Sequence, residues 1–563
     1  MSVDFPVALI LILGCALVPL FRGRLRAAYM LLLPVMAFAY LLWLPLGEHA
    51  QLQLLGQTLV LMRVDRLSLL FGYIFLLAVL LNVIYALHVE DTVQQVAGLV
   101  YAGSTLGAVF AGDLLTLFIY WEVTAVSSVL LIWARRTGQA YRAGMRYLLI
   151  QLLSGMSLLA GALLHWQATG SLTFGHIGLS TLGGALILVA FGIKCAFPLL
   201  HNWLQDAYPE ATPTGTVMLS AFTTKLGIYA LARGYPGTEM LIWIGTLMTA
   251  FPIFYAVIEN DLRRVLAYSM NNQLGFMVVG IGIGSELAVN GAVAHAFADI
   301  LFKALLFMSM GAVLLRTGTV KGSELGGLYK SMPWTAGFCI VGAASISAFP
   351  LFSGFVTKSM IMAAAAGEGH VIVWLVLLFA SAGVFHHAGI KIPYFAFFGH
   401  DSGIRCKEAP RNMLIAMAVT AVLCVGIGMF PAGLYSILPY AVGYEPYTAT
   451  HVIDQLQLLV FSTLAFSVLM RTGIYPPELR SVNLDSDWAY RRLAPSIASA
   501  IACWLSSMIT TFGSGITYRL SRISGLLARH YGPGGILAGT WPTGSMALWV
   551  MVLLLAYLLL YYL

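Results

Sequence analysis

Apolar runs of sixteen residues or more, separated by short polar stretches, recur along the whole of this 563-residue chain. They fall near residues 5–21, 28–46, 67–88, 95–111, 114–133, 147–165, 180–200, 214–232, 240–258, 265–284, 292–315, 334–365, 371–398, 412–430, 455–470 and 545–563. Crossing about 30 Å of hydrocarbon takes about 20 helical residues. The pattern therefore predicts an all-α, polytopic membrane protein of about 14–16 transmembrane helices. Among the prolines inside these runs, two stand in polar surroundings, Pro198 after Lys194-Cys-Ala-Phe and Pro350 before Leu-Phe-Ser353-Gly354. Proline inside a span removes a backbone donor and interrupts the helix, so broken helices are expected at both places.

The basic residues orient the spans. Phe5 to Phe21 is followed by Arg22, Arg24 and Arg26 rather than by a small-residue cleavage site, so this run is expected to remain as the first span. Alternate loops then carry Arg135, Arg136, Arg142 and Arg146, next Arg263 and Arg264, next Arg316, Lys321 and Lys330, and last Arg405, Lys407 and Arg411. By the positive-inside rule these loops are cytoplasmic and the N-terminus is outside. The run Ser496–Thr511 breaks this parity, because crossing there would place Arg519, Arg522 and Arg529 outside. An amphipathic helix lying along the cytoplasmic side, held by the final span, fits better. An ordinary span with an exceptional loop is the other reading.

Composition excludes several classes of function. With 60% hydrophobic and 9% charged residues and a mean hydropathy of +0.87, the chain is unlike any ordinary soluble domain. Its net charge of +7 is spread over many loops rather than gathered in one patch, which argues against a nucleic-acid partner. The six cysteines form no C-x-x-C pair, and five lie in apolar runs where a thiol acts as a small hydrophobe. No iron–sulfur, zinc or disulfide framework is legible, and no G-x-G-x-x-G fingerprint suggests a nucleotide or flavin. No cofactor is expected.

Polar residues inside the apolar runs carry the chemistry. Five of the eight lysines, Lys194, Lys225, Lys303, Lys358 and Lys391, sit there, whereas most arginines lie between runs. An amine loses its proton on burial far more readily than a guanidinium, and intramembrane ionisable groups usually line an ion or proton path. Glu122 stands mid-span and needs a cationic partner or a proton, with Lys194 the candidate partner. Such a pair can switch, since separating its members moves both affinities for the proton; a static structural pair is the alternative. Lys225 lies among small and hydroxyl residues that leave room for water. His295, Asp299 and Lys303 recur every four residues, forming a polar stripe about 12 Å long that suits either a proton relay or a self-satisfied seam. His386, His387 and Lys391 fall together in another span, where relay and packing are both open. His201, beside the Pro198 break, and Lys358 are placed in supporting roles.

The chain resembles the antiporter-like proton-channel subunits, the family of the large membrane subunits of respiratory complex I and of the A-type and D-type subunits of Mrp cation/proton antiporters. The resemblance is carried by Trp121-Glu122, the Lys194–His201–Trp203-Leu-x-Asp206 run, Lys225-Leu-Gly-Ile-Tyr-Ala-Leu-Ala-Arg233, Asp261-Leu-Arg-Arg with Gln273-Leu-Gly, and His295 through Phe302-Lys303-Ala-Leu-Leu-Phe. It covers roughly residues 63–400. It implies two inverted five-helix repeats with broken helices. It also implies Glu122 and Lys194 as a switching pair, Lys225 as a bridge between half-channels, and Lys303 with His295 on a central hydrophilic axis. The family's distal lysine or glutamate falls near His386 or His387 here, with Lys391 where arginine is usual. Gln205 replaces the proline usual after Trp-Leu.

The expected organisation is N-terminal helices at 1–94, the proton-translocating core at 95–400, further core helices at 401–472, and an extension at 473–563 with the lateral helix and a terminal span. The tail Asp485-Ser-Asp487-Trp488-x-Tyr490-Arg491-Arg492 looks like Mrp-type chains, which tilts the expectation to a membrane subunit of a multisubunit Na+/proton antiporter in a bacterial cell membrane. Other membrane subunits, protons and monovalent cations would be its partners. The alternative is the proton-pumping subunit of a complex I-like oxidoreductase or a membrane-bound hydrogenase.

Overall fold

The computed structural model describes residues 5–54, 56–476, 478–479, 483, 485–532 and 542–562. Among them twelve helices are long and apolar enough to cross a membrane by length and composition, and Val7–Leu20, Leu182–Lys194 and Pro333–Ile346 are shorter apolar helices. The protein is thus a polytopic all-α membrane protein. The runs read as continuous at 180–200 and 334–365 are each split, as the prolines predict. Leu182–Lys194 gives way to Asn202–Ala207, and Pro333–Ile346 to Ser353–Gly367. Leu262–Ile283 is helical over 22 residues, but it buries Asn271, Asn272 and Gln273 and so falls short of an apolar span.

Two sets of helices repeat one another. Thr92–Phe110, Leu114–Trp133, Gly138–Thr169, the broken Leu182–Ala207 segment and Pro213–Gly234 form the first. Glu239–Ile258, Leu262–Ile283, Glu286–Thr317, the broken Pro333–Gly367 segment and Val371–Phe398 form the second. In both sets the third helix has 32 residues. In both, an aspartate caps the second helix and pairs across an isolated antiparallel bridge, Asp113 with Thr173 and Asp261 with Lys321. Both breaks place an alanine and a leucine in the left-handed region, Ala196 and Leu199 at φ 59° and 68°, Ala348 and Leu351 at 56° and 74°. An odd number of crossings separates equivalent helices, which makes the two sets inverted relative to each other.

One element lies outside the helical reading. Gly47–Leu54 and Gln57–Val64 form an antiparallel hairpin with Leu52 opposite Leu59. Met62 and Val64, two apart and therefore on one face, are buried. The hairpin is tied to the first repeat where Val60 N–H donates to Asp113 Oδ2 at 2.9 Å and Gly112 N–H donates to the Val60 carbonyl at 2.9 Å.

The chain clusters into two compact units, residues 1–483 and 484–563. Within the second, Ala494–Tyr531 is one continuous helix of 38 residues and Thr543–Tyr562 another of 20. At 1.5 Å per residue the longer one extends about 57 Å, nearly twice the hydrocarbon thickness. Its first part, with the turn before it, is apolar enough to cross over Arg491–Thr510.

Candidate functional site

Glu122 is carried by Leu114–Trp133, whose start is fixed by Asp113 accepting from Thr116 N–H at 2.7 Å. Its carboxylate fills space left by Gly155 on the next helix, where a Cβ would collide with Oε1. That oxygen is buried and has no hydrogen-bond partner among the described residues. Glu122 also lines a cleft of about 580 Å³ with Pro19, Val96, Val126 and Ser127.

Lys194 is fully buried at the last turn of its half-helix. Its ammonium donates to the Trp121 carbonyl at 3.1 Å and lies 4.0 Å from the Trp121 ring centroid. Lys194 and Glu122 feel each other's charge, yet no direct ion pair joins them, because the ammonium is engaged by the peptide unit just before Glu122. The break itself is held by Trp203, whose indole N–H donates to the Ile193 carbonyl at 3.0 Å beside the Ala196 N–H at 3.1 Å. His201 packs edge-on against Phe251 with centroids 4.7 Å apart.

The direct intramembrane pair is elsewhere. Lys225 Nζ lies 2.6 Å from Asp299 Oδ2, with both side chains inaccessible, and also donates to the Ser220 carbonyl at 3.1 Å. Asp299 therefore crosses from the His295 stripe to pair with the helix carrying Lys225, instead of serving only its own stripe. Farther along that stripe, Lys303 donates to Ser269 Oγ at 2.7 Å. His295 bridges Gln273 Oε1 and Thr357 Oγ1, each at 3.0 Å, so one ring nitrogen has an acceptor and the other a hydroxyl. Lys358 donates to the Ile346 carbonyl at 3.1 Å, at the second break, and lies 5.0 Å from the Phe276 centroid. Lys303 feels Asp299, Lys225 and Lys358, and His295 feels Lys358, Lys225 and Lys303.

The distal group sits where Val371–Val384 runs into π-helical turns, Phe385–Lys391 and Tyr394–Phe398. His387 is fully buried with neither ring nitrogen hydrogen-bonded among the described residues, and it feels Lys303, His386 and Lys391. His386 stacks on Tyr475 at 5.4 Å. Lys391 pairs with Glu478 at 2.9 Å. Glu478 comes from the segment after the last core helix and carries no sequence signal, since neither periodicity nor a motif marks it. Gln273, Thr357 and Ser269 were also invisible as partners, being ordinary polar residues until the fold aligns them. Gln151, Gln205 and Asn271 are buried with neither amide atom hydrogen-bonded among the described residues, the condition under which interiors hold water.

Carboxylates, ammoniums and imidazoles of both repeats, most of them buried, thus succeed one another. Such an array can hand on a proton when one pair loosens and the next tightens.

Residues 111–385 match the family described as NADH:quinone oxidoreductase/Mrp antiporter, transmembrane. The chain is 31% identical over 356 residues to the D-type subunit of the Na(+)/H(+) antiporter of Alkalihalophilus pseudofirmus, a match that takes in 59% of this chain and 72% of that one. It is 28% identical to hydrogenase-4 component B of Escherichia coli, over 55% of this chain and 52% of that one. A chain of the Mrp complex from a Dietzia species shares the fold with a TM-score of 0.65 and 21% identity, covering 82% of this chain and 95% of its own. By sequence and by fold, the chain belongs to the NADH:quinone oxidoreductase/Mrp antiporter transmembrane family.

Proposed function

We propose that the chain is the proton-translocating membrane subunit of a multisubunit monovalent cation (Na+)/proton antiporter in a bacterial cell membrane. Glu122, Lys194, Lys225, His295, Asp299, Lys303, His386, His387 and Lys391 form the relay, with His201 and Lys358 supporting it. One observation carries the reading: ionisable groups, all but Glu122 and His386 fully buried, continue from the first repeat into the second, most within the field of a neighbour. The relative named as a Na(+)/H(+) antiporter subunit supports the choice of process. Movement of protons along such an array needs no covalent chemistry, so the role is transport within an assembly rather than catalysis. The hydrogenase-4 relative supports a second reading, in which redox chemistry in partner subunits drives the same relay.

The test is proton flux in everted vesicles bearing the assembled complex. Addition of Na+ should drive proton movement in the wild type, and Glu122→Gln or Lys194→Ala should abolish it while the protein remains in the membrane. Wild-type rates in properly assembled variants would remove the relay. Flux that ignores Na+ and follows an electron donor would select the second reading.

A further inference from the structure

The Lys391 ammonium is held by four oxygens at 2.6–3.2 Å: the carbonyls of Ala256, Val257 and Glu259, and Glu478 Oε1. The three carbonyls end the helix Glu239–Ile258, where the backbone dipole favours a cation, and the carboxylate supplies a full negative charge. An ammonium has three protons to donate, so four oxygens around it make a coordination shell rather than a set of matched hydrogen bonds. Helix C-terminal carbonyls of this kind are the ligands that transporters offer to Na+. The shell adjoins a cleft: Glu259 lines one of about 450 Å³ with Glu210, Asp261, Arg263, Arg264 and Lys321, on the face whose loops are rich in arginine. Asn483 donates to Glu259 Oε2 at 3.2 Å, so Glu478 and Asn483, both from beyond Ala449–Thr472, cover the site.

We propose that this shell is a monovalent-cation site, occupied here by the Lys391 ammonium, which Na+ or K+ takes when Lys391 gives up its proton and withdraws. The proposal rests on the transport reading and gives it a place where proton and cation compete. One proton leaves Lys391 for water as one cation enters, so the site's charge is unchanged. The titratable groups that face Lys391 are Glu478 from the covering segment, Glu259 from the loop before Leu262, and His386 and His387 from its own turn. Burial raises the Glu478 carboxyl above its usual range while Lys391 pulls it back down. Acid therefore weakens the site twice, by protonating the lysine and then the carboxylate.

The experiment uses the full chain in lipid nanodiscs, with radioactive Na+ or Rb+ (for K+) as probe and choline as the inert control. Cation binding by the wild type should strengthen as pH rises and release one proton per cation. Lys391→Met should bind at least about tenfold more tightly, with a flattened pH dependence, and Glu478→Gln at least about tenfold more weakly, each a change of about 1.4 kcal/mol. Lys391→Arg should bind neither ion at any pH, because a guanidinium stays charged and keeps the shell filled. Stronger binding of Na+ than Rb+, or the reverse, names the ion. Binding that is unmoved by both Lys391→Met and Glu478→Gln overturns the proposal. Should those variants not fold, absence of proton release from the wild type on adding either salt overturns it equally. No gradient is applied, so failure here leaves the flux reading standing, and failure of the flux reading leaves proton release measurable.

Discussion

The Glu122 carboxylate occupies the position that a side chain at Gly155 would take. Gly155→Ala should therefore push Glu122 off its place and lower proton flux by at least about tenfold, a loss of about 1.4 kcal/mol of stabilisation. Gly138→Ala, where no neighbouring atom lies within 4 Å, should leave flux as it is, and vesicle assays on the two variants check the contrast. The Lys225–Asp299 pair makes a thermodynamic prediction. Removing one member of a buried pair strands the other, at a cost of about 3–5 kcal/mol, whereas replacing both with apolar residues can be close to neutral. Thermal unfolding in detergent should show Asp299→Ala strongly destabilised and Lys225→Met/Asp299→Leu much less so; equal losses would mean the two charges do not interact. At this scale the sequence was informative about which residues are ionisable and buried, because Lys194, Lys225, Asp299 and Lys303 interrupt apolar runs, whereas Glu122 is only half-buried. It was uninformative about pairing: Asp299 could serve its own helix or cross to Lys225, and only the helix packing decides.

The broken helices are the elements on which the site depends, since Lys194 sits just before one break and Lys358 shortly after the other. Both breaks appear where Pro198 and Pro350 stand, although Pro34 and Pro252 sit inside helices that run on, so proline marks a break here only with the polar residues around it. What proline does not announce is how the freed carbonyls are satisfied. At Ile193 the Ala196 N–H and the Trp203 indole N–H share the carbonyl, so Trp203→Phe should cost about 0.5–1.5 kcal/mol, the net worth of one hydrogen bond, read from the shift in thermal unfolding. Leu199 holds φ 68° and is 78% exposed, so Leu199→Gly should relieve about 1–2 kcal/mol of backbone strain with little packing lost, and unfold later than the wild type. A lower unfolding temperature there would show that the leucine's apolar contacts outweigh the strain. The hairpin at 47–64 escaped the sequence reading because its alternation is brief and lies between two spans, where a loop is the ordinary expectation. The covering segment with Glu478 escaped for the opposite reason: it has no periodicity at all, and its role comes solely from where Ala449–Thr472 delivers it.

At the scale of the whole molecule, the two repeats supply opposite halves of one array, and the question is whether they act in series. Glu122 and Lys194 belong to the first repeat, His387 and Lys391 to the second, and Lys225 with Asp299 joins them across the boundary. A charge moved through a potential of 100 mV is worth about 2.3 kcal/mol, so the two halves can share that work only if a proton passes through both. In a series path any single block stops the current, and a second block adds nothing; in parallel paths each block leaves the other route running. Flux should therefore vanish equally in Glu122→Gln, in Asp299→Asn and in the double variant, measured in vesicles at matched protein content. Residual flux of about half in each single variant, lost only in the double, would require two separate paths and would detach the Lys225–Asp299 pair from transport. The pair's geometry argues for the series outcome, because a direct contact between charges of different repeats is what a proton arriving from one half needs in order to alter the other.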